Sequence, residues 1–377
     1  MAVHLSRLEL SNFRNYSSLD LPLQPGLTVL HGQNAQGKTN VVEAIQLLSS
    51  GSSYRALSDK EVIRWSAPES ERLARVSGRV GDSELQVVVA DMPGASSKRV
   101  LLNGAGKRVA DFVGHLTAVL FGPEQLDLVT GSPGNRRAYL DGALSQTDRL
   151  YVRALSVYNR VLHQRNQLLK LFRERELSPD EMLYWDAQLI EAGSVISGRR
   201  ARCLAQLSKL AAARHTELAP DGGELQLEYE SKLFRSNGGW QRLACAPAED
   251  VQAEFRRWLT LEAERELAQG VTVVGPHRDD LQLSLDGKPV DKFGSRGQQR
   301  TVALALKLAE LDFIREHTND NPVLLLDDVL SELDDARRGA LREVIAGHEQ
   351  VVLTTTERTD IPAAASYLVR EGTLTAT

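Results

Sequence analysis

The sequence predicts an α/β fold: a P-loop nucleotide-binding lobe joined to a second, mostly helical lobe that carries a short antiparallel arm. Three observations predict it. Gly32-Gln33-Asn34-Ala35-Gln36-Gly37-Lys38-Thr39 fits G-x-x-x-x-G-K-[ST]. Val323 to Leu326 and Val351 to Thr355 are uniformly apolar or β-branched, as in parallel strands covered on both faces. From Met182, residues at seven-position intervals are apolar: Leu189, Ile196, Cys203 and Leu210.

The flanks of the octet agree with it. Leu27-Thr28-Val29-Leu30 reads as a buried strand entering the loop, and Val41, Val42, Ala44, Ile45, Leu47 and Leu48 follow at helical spacing. In that order the glycines let backbone N–H groups face phosphate oxygens, and the helix N-terminus adds a favourable dipole. Lys38 would reach the β- and γ-phosphates of ATP, and the Thr39 hydroxyl would hold Mg²⁺. Upstream, Val3, Leu5, Leu8 and Leu10 begin a strand, a second runs to Leu23, and Pro25-Gly26 turns the chain into the P-loop strand. Downstream, Val76 to Val80, Leu85 to Ala90 and Val100 to Leu102 read as an antiparallel meander, with Asn103-Gly104 as a turn. Thr117 to Phe121 is another buried strand.

The texture then becomes helical. From Ser145 to Glu176 the apolar residues are Leu150, Ala154, Val157, Val161, Leu168 and Leu171, and Ser178-Pro179-Asp180-Glu181 restarts a helix with Ser as cap. The pair reads as an antiparallel coiled-coil hairpin over about 145–215, or as two ordinary bundle helices. Beyond it come a strand at Leu225 to Tyr229, a loop at Asn237-Gly238-Gly239, a helix from Ala248 to Ala268, a strand with Leu281, Leu283 and Leu285, and a helix from Gln299 to Glu316. The expected division is 1–122 with 320–377 for the ATP-binding lobe, and 123–319 for the second lobe.

Composition narrows the class. With 42% hydrophobic and 25% charged residues the chain reads as a soluble globular protein, and no run approaches the ~20 apolar residues of a membrane span. The N-terminus alternates and lacks the apolar core of a signal peptide, so a cytoplasmic location without membrane association is expected. Cys203 and Cys245 have no metal-ligand spacing. A net charge of -5 requires any nucleic-acid surface to be local. From Gly131 to His215 fourteen basic side chains face eight acidic ones, about +6; this is a phosphate-tracking surface or a solvated helical face.

A second constellation lies some 250 residues after the P-loop. Pro322-Val323-Leu324-Leu325-Leu326-Asp327-Asp328 is an apolar strand delivering two carboxylates, a Walker-B pattern. Asp327 would hold Mg²⁺, and Asp328 would orient or activate the attacking water. Phe293-Gly294-Ser295-Arg296-Gly297-Gln298-Gln299 opens a helix and makes a second anion site from Ser295, Gly297 and Gln298. Ser331-Glu332-Leu333-Asp334 follows the Walker-B strand.

The order of these motifs resembles the ATP-binding-cassette (ABC) ATPases, and so implies an ABC-type P-loop ATPase head. In that family the signature of one subunit caps the γ-phosphate held by the other's P-loop, which implies an ATP-dependent homodimer. Where those proteins carry a switch residue, often His, Leu353-Thr354-Thr355-Thr356 stands here; Pro123-Glu124-Gln125 is the candidate Gln loop. Phe13-Arg14-Asn15-Tyr16, the P-loop with Asn40, Glu43-Ala44-Ile45, Pro133 to Asp141 and Gly275-Pro276-His277-Arg278-Asp279-Asp280-Leu281 narrow the resemblance to the bacterial RecF family. That family is similar to the heads of chromosome-maintenance ATPases, with a shorter arm. The resemblance implies a weak, DNA-stimulated ATPase acting at duplex and single-strand junctions with RecR and RecO to promote RecA loading. It also places Arg14 at the nucleotide. Two other readings stand beside it: the nucleotide-binding subunit of an ABC transporter, which the long basic arm and the altered signature oppose, and a non-hydrolysing ATP switch for partner binding, which Asp328 in place of Glu leaves open.

Overall fold

The computed structural model describes residues 4–68, 72–92, 95–171, 179–235, 239–357 and 360–377, leaving aside the side chains at 95, 179, 180, 331, 332 and 336. Val3, Ser178, Asn237 and Gly238, and the side chains of Ser331 and Glu332, therefore lie outside the described residues. The chain divides into two compact units, Met1–Gln125 with Lys307–Thr377 and Leu126–Leu306. The second break falls inside the helix Arg296–Thr318 rather than after it.

The first unit has two sheets with the P-loop helix, Lys38–Ser50, packed against strands of both. One sheet is antiparallel, in the order Tyr16–Pro22, Leu5–Phe13, Leu73–Val80, Ser83–Met92, Ala95–Leu102, Ala105–Lys107. Its last hairpin turns on Asn103 and Gly104, both at positive φ (51° and 75°), the backbone that a two-residue hairpin needs. The other sheet runs Thr373–Ala376, Ala365–Arg370, Gly26–His31, Gln350–Thr355, Val323–Asp327, Ala118–Phe121. All are parallel except the Thr373–Ala376 edge. The Walker-B strand is buried along its whole length, as a parallel strand covered on both faces must be. The helix Lys38–Ser50 buries Val41, Val42, Ala44, Ile45, Leu47 and Leu48, more than one stripe, because a sheet lies on either side.

The second unit is mostly helical. Arg149–Leu171 and Pro179–Leu218 pack against each other and form the arm. Leu189, Ile196 and Cys203 of the seven-residue series are buried. On the first arm helix the inner face is only partly the expected one: Val161 is buried, but so are Tyr151, Tyr158 and Arg165, while Leu150 is 56% exposed. The helix expected over Ala248 to Ala268 is two, Ala248–Leu261 and Ala263–Gln269, hinged at Glu262. A three-stranded antiparallel sheet, Lys288–Pro289, Asp280–Leu285, Leu225–Glu230, completes the unit and leads through Val290–Phe293 to the helix that begins at Arg296.

Candidate nucleotide site and a buried polar hub

The parallel sheet puts the P-loop strand and the Walker-B strand on either side of Gln350–Thr355. Register sets Leu30 and Asp327 beside Thr354 from its two sides. Thr39, in the first turn of the P-loop helix, donates its hydroxyl to Asp327 Oδ1 at 3.0 Å, joining the two motifs across 288 residues. Lys38 is 6% exposed and donates to Gly32 O at 2.6 Å and Gln33 O at 2.9 Å. Burial lowers its pKa, while Asp328 and Asp327 pull it back up, so both carboxylates lie within its field. Gln33, Asn34 and Ala35 are exposed at the loop tip.

Neighbours that the motif does not contain hold the loop. Asn15 Nδ2 donates to Gln36 O at 2.9 Å, Tyr16 OH to Gly37 O at 3.0 Å, and Gly372 N to the same Gln36 carbonyl at 3.1 Å. Gln36 Oε1 accepts from Glu371 N at 2.8 Å. Gly37 sits at φ +116°, and a Cβ there would lie 2.6 Å from Asn15 Nδ2 and 2.9 Å from Tyr16 OH, so only glycine fits. Arg14 bonds the P-loop helix itself. Its guanidinium donates to both Glu43 oxygens (3.0 and 2.5 Å) and to Glu61 O, and so braces the P-loop helix. Glu43 is fully buried and also meets Arg55 at 3.6 Å. Tyr54 was not foreseen: burial first, then Asp327 and Glu124, raises its phenol pKa, placing it near the carboxylates.

Asp327 is 4% exposed, and Asp328 has left-handed backbone (φ 52°, ψ 23°) at the strand end. Thr354, at the expected switch position, is committed inward: its hydroxyl donates to Asp327 Oδ1 at 2.6 Å. Pro123–Leu126, which includes the candidate Gln loop, is a single 3-10 turn. Asp334 caps the helix Asp335–Ala346 by accepting from Arg337 N at 3.0 Å.

The residues present fit ATP and Mg²⁺. The P-loop helix begins without a side-chain cap and without an acidic residue in its first turn, so an anion is the group its N-terminus favours. Thr39 and Asp327 offer hard oxygen donors, the kind that Mg²⁺ shares with substrate phosphates.

The signature residues lie in the other unit. Ser295 and Gln298 form a reciprocal capping box: Ser295 Oγ accepts from Gln298 N at 3.2 Å, and Gln298 Oε1 from Ser295 N at 2.8 Å. Ser295, Arg296 and Gln298 are exposed, Gly297 is half-buried, and Phe293 is 70% exposed.

The blocks Pro133 to Asp141 and Gly275 to Leu281 meet in the second unit as a buried polar hub. Arg136 pairs with both Asp280 oxygens (2.8 and 2.9 Å), and Arg137 donates to Asp279 O at 2.8 Å. Arg200, 2% exposed, donates to Asp141 Oδ1 at 2.6 Å and to Pro276 O at 2.7 Å. Tyr151 also bonds Asp141. Tyr158 OH meets His277 Nδ1 at 2.6 Å, and His277 Nε2 meets Thr272 O at 3.1 Å. A carbonyl only accepts, so the proton sits on Nε2 and Tyr158 donates. Burial holds His277 down at about 4, which keeps it neutral. Burial pushes Asp279 up to about 6 although Tyr229 donates to it at 2.7 Å. Gly275, at φ +125°, would place a Cβ 2.3 Å from Tyr158 OH.

The hub changes the reading of the arm's charge. Arg136, Arg165, Arg199, Arg200 and Arg214 are all paired with carboxylates, and Arg173 and Arg175 lie outside the described residues. On the first arm helix, which contains no Asp or Glu, Arg149, Arg153, Arg160 and Lys170 are exposed.

Residues 4–370 match the family model described as RecF/RecN/SMC N terminal domain. The chain is similar to the DNA replication and repair protein RecF of Herpetosiphon aurantiacus, with 39% identity covering 98% of this chain and 97% of the relative. The RecF of Chloroflexus aurantiacus is 40% identical, covering 98% and 99%. Among solved structures, that of the recombination mediator protein RecF-ATPrS in the RecFOR pathway superposes with a TM-score of 0.89 at 30% identity, covering 100% of this chain and 98% of that one. The Smc head domain of Pyrococcus furiosus, at 19% identity and a TM-score of 0.52, shares the fold alone. The chain belongs to the RecF/RecN/SMC N-terminal domain family, and within it to the RecF proteins.

Proposed function

We propose that the protein is an ATP-gated DNA clamp of the RecF kind, which dimerises on ATP, binds duplex DNA and duplex–single-strand junctions, and promotes RecA loading at gaps together with RecR and RecO. The observation that carries the reading is the meeting of Lys38, Thr39 and Asp327 at the end of the parallel sheet, in a chain alike to RecF proteins over its full length. Bound Mg²⁺ would neutralise the β- and γ-phosphate oxygens. Lys38 holds those phosphates, Thr39 and Asp327 are the metal ligands, and Asp328 orients the attacking water, which makes the protein a Mg²⁺-dependent ATPase. Ser295, Gly297 and Gln298 of one copy close on the γ-phosphate held by the other.

DNA meets the acid-free face of the first arm helix. At about 100° per residue, Arg149, Arg153 and Arg160 fall within about 40° of one another, so they form one exposed basic stripe on a helix that contains no Asp or Glu. Such a stripe follows phosphates and reads no sequence.

The shared ATP site is tested by mixing variants. Ser295→Arg should keep monomer ATP affinity and lose ATP-driven dimerisation and hydrolysis. Each Ser295 contact is a charge-assisted bond worth about 1.5–3 kcal/mol and counts twice in a symmetric dimer. Lys38→Met loses the P-loop cation instead. In a heterodimer of the two, one composite site is intact, so partial ATPase activity should return, with further stimulation by gapped DNA. Heterodimers that form yet stay as inactive as either parent variant overturn the reading.

A further inference from the structure

We propose that Thr354 is a positioning residue for the metal-binding carboxylate, fixing Asp327 and the backbone of Asp328 through a single hydroxyl. The proposal rests on the ATP reading above.

The geometry begins with strand order. Gln350–Thr355 lies between the P-loop strand and the Walker-B strand, and Asp327 pairs with Thr354 in parallel register. Paired residues on adjacent strands point to the same face of a sheet, so the hydroxyl and the carboxylate are neighbours by construction. Thr354 is 1% exposed and Asp327 4%. The hydroxyl donates to Asp327 Oδ1 at 2.6 Å and accepts from Asp328 N at 3.0 Å. Both directions follow from chemistry: an ionised carboxylate only accepts and a backbone N–H only donates. The β-branched side chain has few χ1 choices, which holds the oxygen in place.

Two consequences follow. Asp327 receives two hydroxyls, from Thr39 and Thr354, both on Oδ1. Thr39 is also the P-loop's own metal ligand, whereas the Thr354 hydroxyl is spent entirely on the Walker-B pair. Asp328, a non-glycine residue at φ 52°, adopts a conformation that side chains disfavour. Its N–H is held by the Thr354 hydroxyl and, at 3.3 Å, by the Thr354 carbonyl. One residue thus sets the rotamer of the first carboxylate and the turn that presents the second. The neighbouring Thr355 belongs to the opposite face, and its hydroxyl accepts from Glu357 N at 3.2 Å. Thr354 therefore acts on the Walker-B pair, Asp327 and Asp328, with its hydroxyl fully engaged there.

The test compares Thr354→Val, which keeps the shape and removes the hydroxyl, with Thr354→Ser, which keeps the hydroxyl. Three quantities are read: affinity for a fluorescent ATP analogue in EDTA, affinity for Mn²⁺ in the presence of that analogue by electron paramagnetic resonance, and kcat and KM for ATP. Losing a group that orients a metal ligand typically costs about 10–100-fold in metal affinity or activity. For Thr354→Val, metal affinity and kcat should fall by that factor, KM and metal-free nucleotide affinity should stay within about threefold of the parent, and Thr354→Ser should restore both losses. Parent-like Mn²⁺ affinity in Thr354→Val overturns the proposal. So does a Thr354→Val protein that fails to fold, or that loses metal-free nucleotide binding equally, since either makes the role a general structural one. If the parent protein itself binds the analogue no better than Lys38→Met, the ATP reading fails first, and the two failures are told apart.

Discussion

The two polar clusters of this chain are built to opposite ends. In the nucleotide site, the loop tip Gln33-Asn34-Ala35 is exposed, the helix start is uncapped, and Lys38 bonds only carbonyls of its own loop. In the hub, Arg200, Asp141, Tyr158, His277, Asp279 and Asp280 all bond to one another or to nearby protein groups, and Arg200, Tyr158 and Asp279 are buried. Yet the hub blocks, Pro133 to Asp141 and Gly275 to Leu281, carry the resemblance to the RecF family beside the P-loop. A motif's value as a family marker is therefore separate from its ligand chemistry. Phosphate requires the local pattern of the P-loop, whereas in the hub each buried charge requires its partner.

The largest expected effect separates the two clusters. Lys38→Arg keeps the charge and loses the compact ammonium that fits between phosphates. Turnover should fall on the order of 10²-fold or more, the size seen when a preorganised electrostatic contact is lost, while the melting temperature stays at the parent value. Burial lowers the Lys38 pKa, so its charged form is disfavoured relative to a solvated lysine. Parent-like turnover in Lys38→Arg would break the comparison at its first term.

The mirror-image effect belongs to Arg200. Arg200→Ala leaves Asp141 without its cation, and breaking a buried ion pair in this way costs roughly 3–5 kcal/mol. Urea denaturation should register that loss, with ATP affinity of the folded protein unchanged. If ATP affinity collapses while stability holds, the hub is a ligand site and the contrast between the regions is wrong.

How much of each cluster could be read from the sequence follows the same divide. The eight contiguous residues of the P-loop and the strand ending in Asp327 were legible because local chemistry dictates them. Thr354's place was not: it depends on Gln350–Thr355 lying between two strands far apart in sequence. Arg14's partner is likewise set by the fold: its block clamps the P-loop through Asn15 and Tyr16, while Arg14 itself bonds Glu43 of the P-loop helix. The arm's inner face was read from Leu150, Ala154, Val157 and their successors. The fold buries Val161 of that series but adds Tyr151, Tyr158 and Arg165, seven residues apart, whose polar partners an apolarity count ignores. The strands Ala365–Arg370 and Thr373–Ala376 went unread; short and largely exposed, they lack clear alternation, although their turn holds Gln36.

The smallest effect is a pair of opposed pH slopes within the hub. Burial lowers His277 from 6.5 to about 4, so between those values the unfolded chain binds more protons and stability rises with pH. Burial raises Asp279 from 3.8 to about 6, so between those values the folded chain binds more protons and stability falls as pH rises. The windows overlap between about pH 4 and 6, where the two contributions largely cancel in the parent. Asp279→Asn still accepts from Tyr229 and removes one slope. Relative to the parent, it should lose stability on acidification from pH 6.5 to 4.5, by an amount on the order of 2 kcal/mol, since a tenfold change in proton affinity is worth about 1.36 kcal/mol. His277→Gln should show the reverse, becoming more stable relative to the parent over the same acidification. Denaturant midpoints at the two pH values measure both. Two variants whose stabilities track the parent across the window would mean that neither group is held in the closed, dehydrated setting that distinguishes the hub from the nucleotide site.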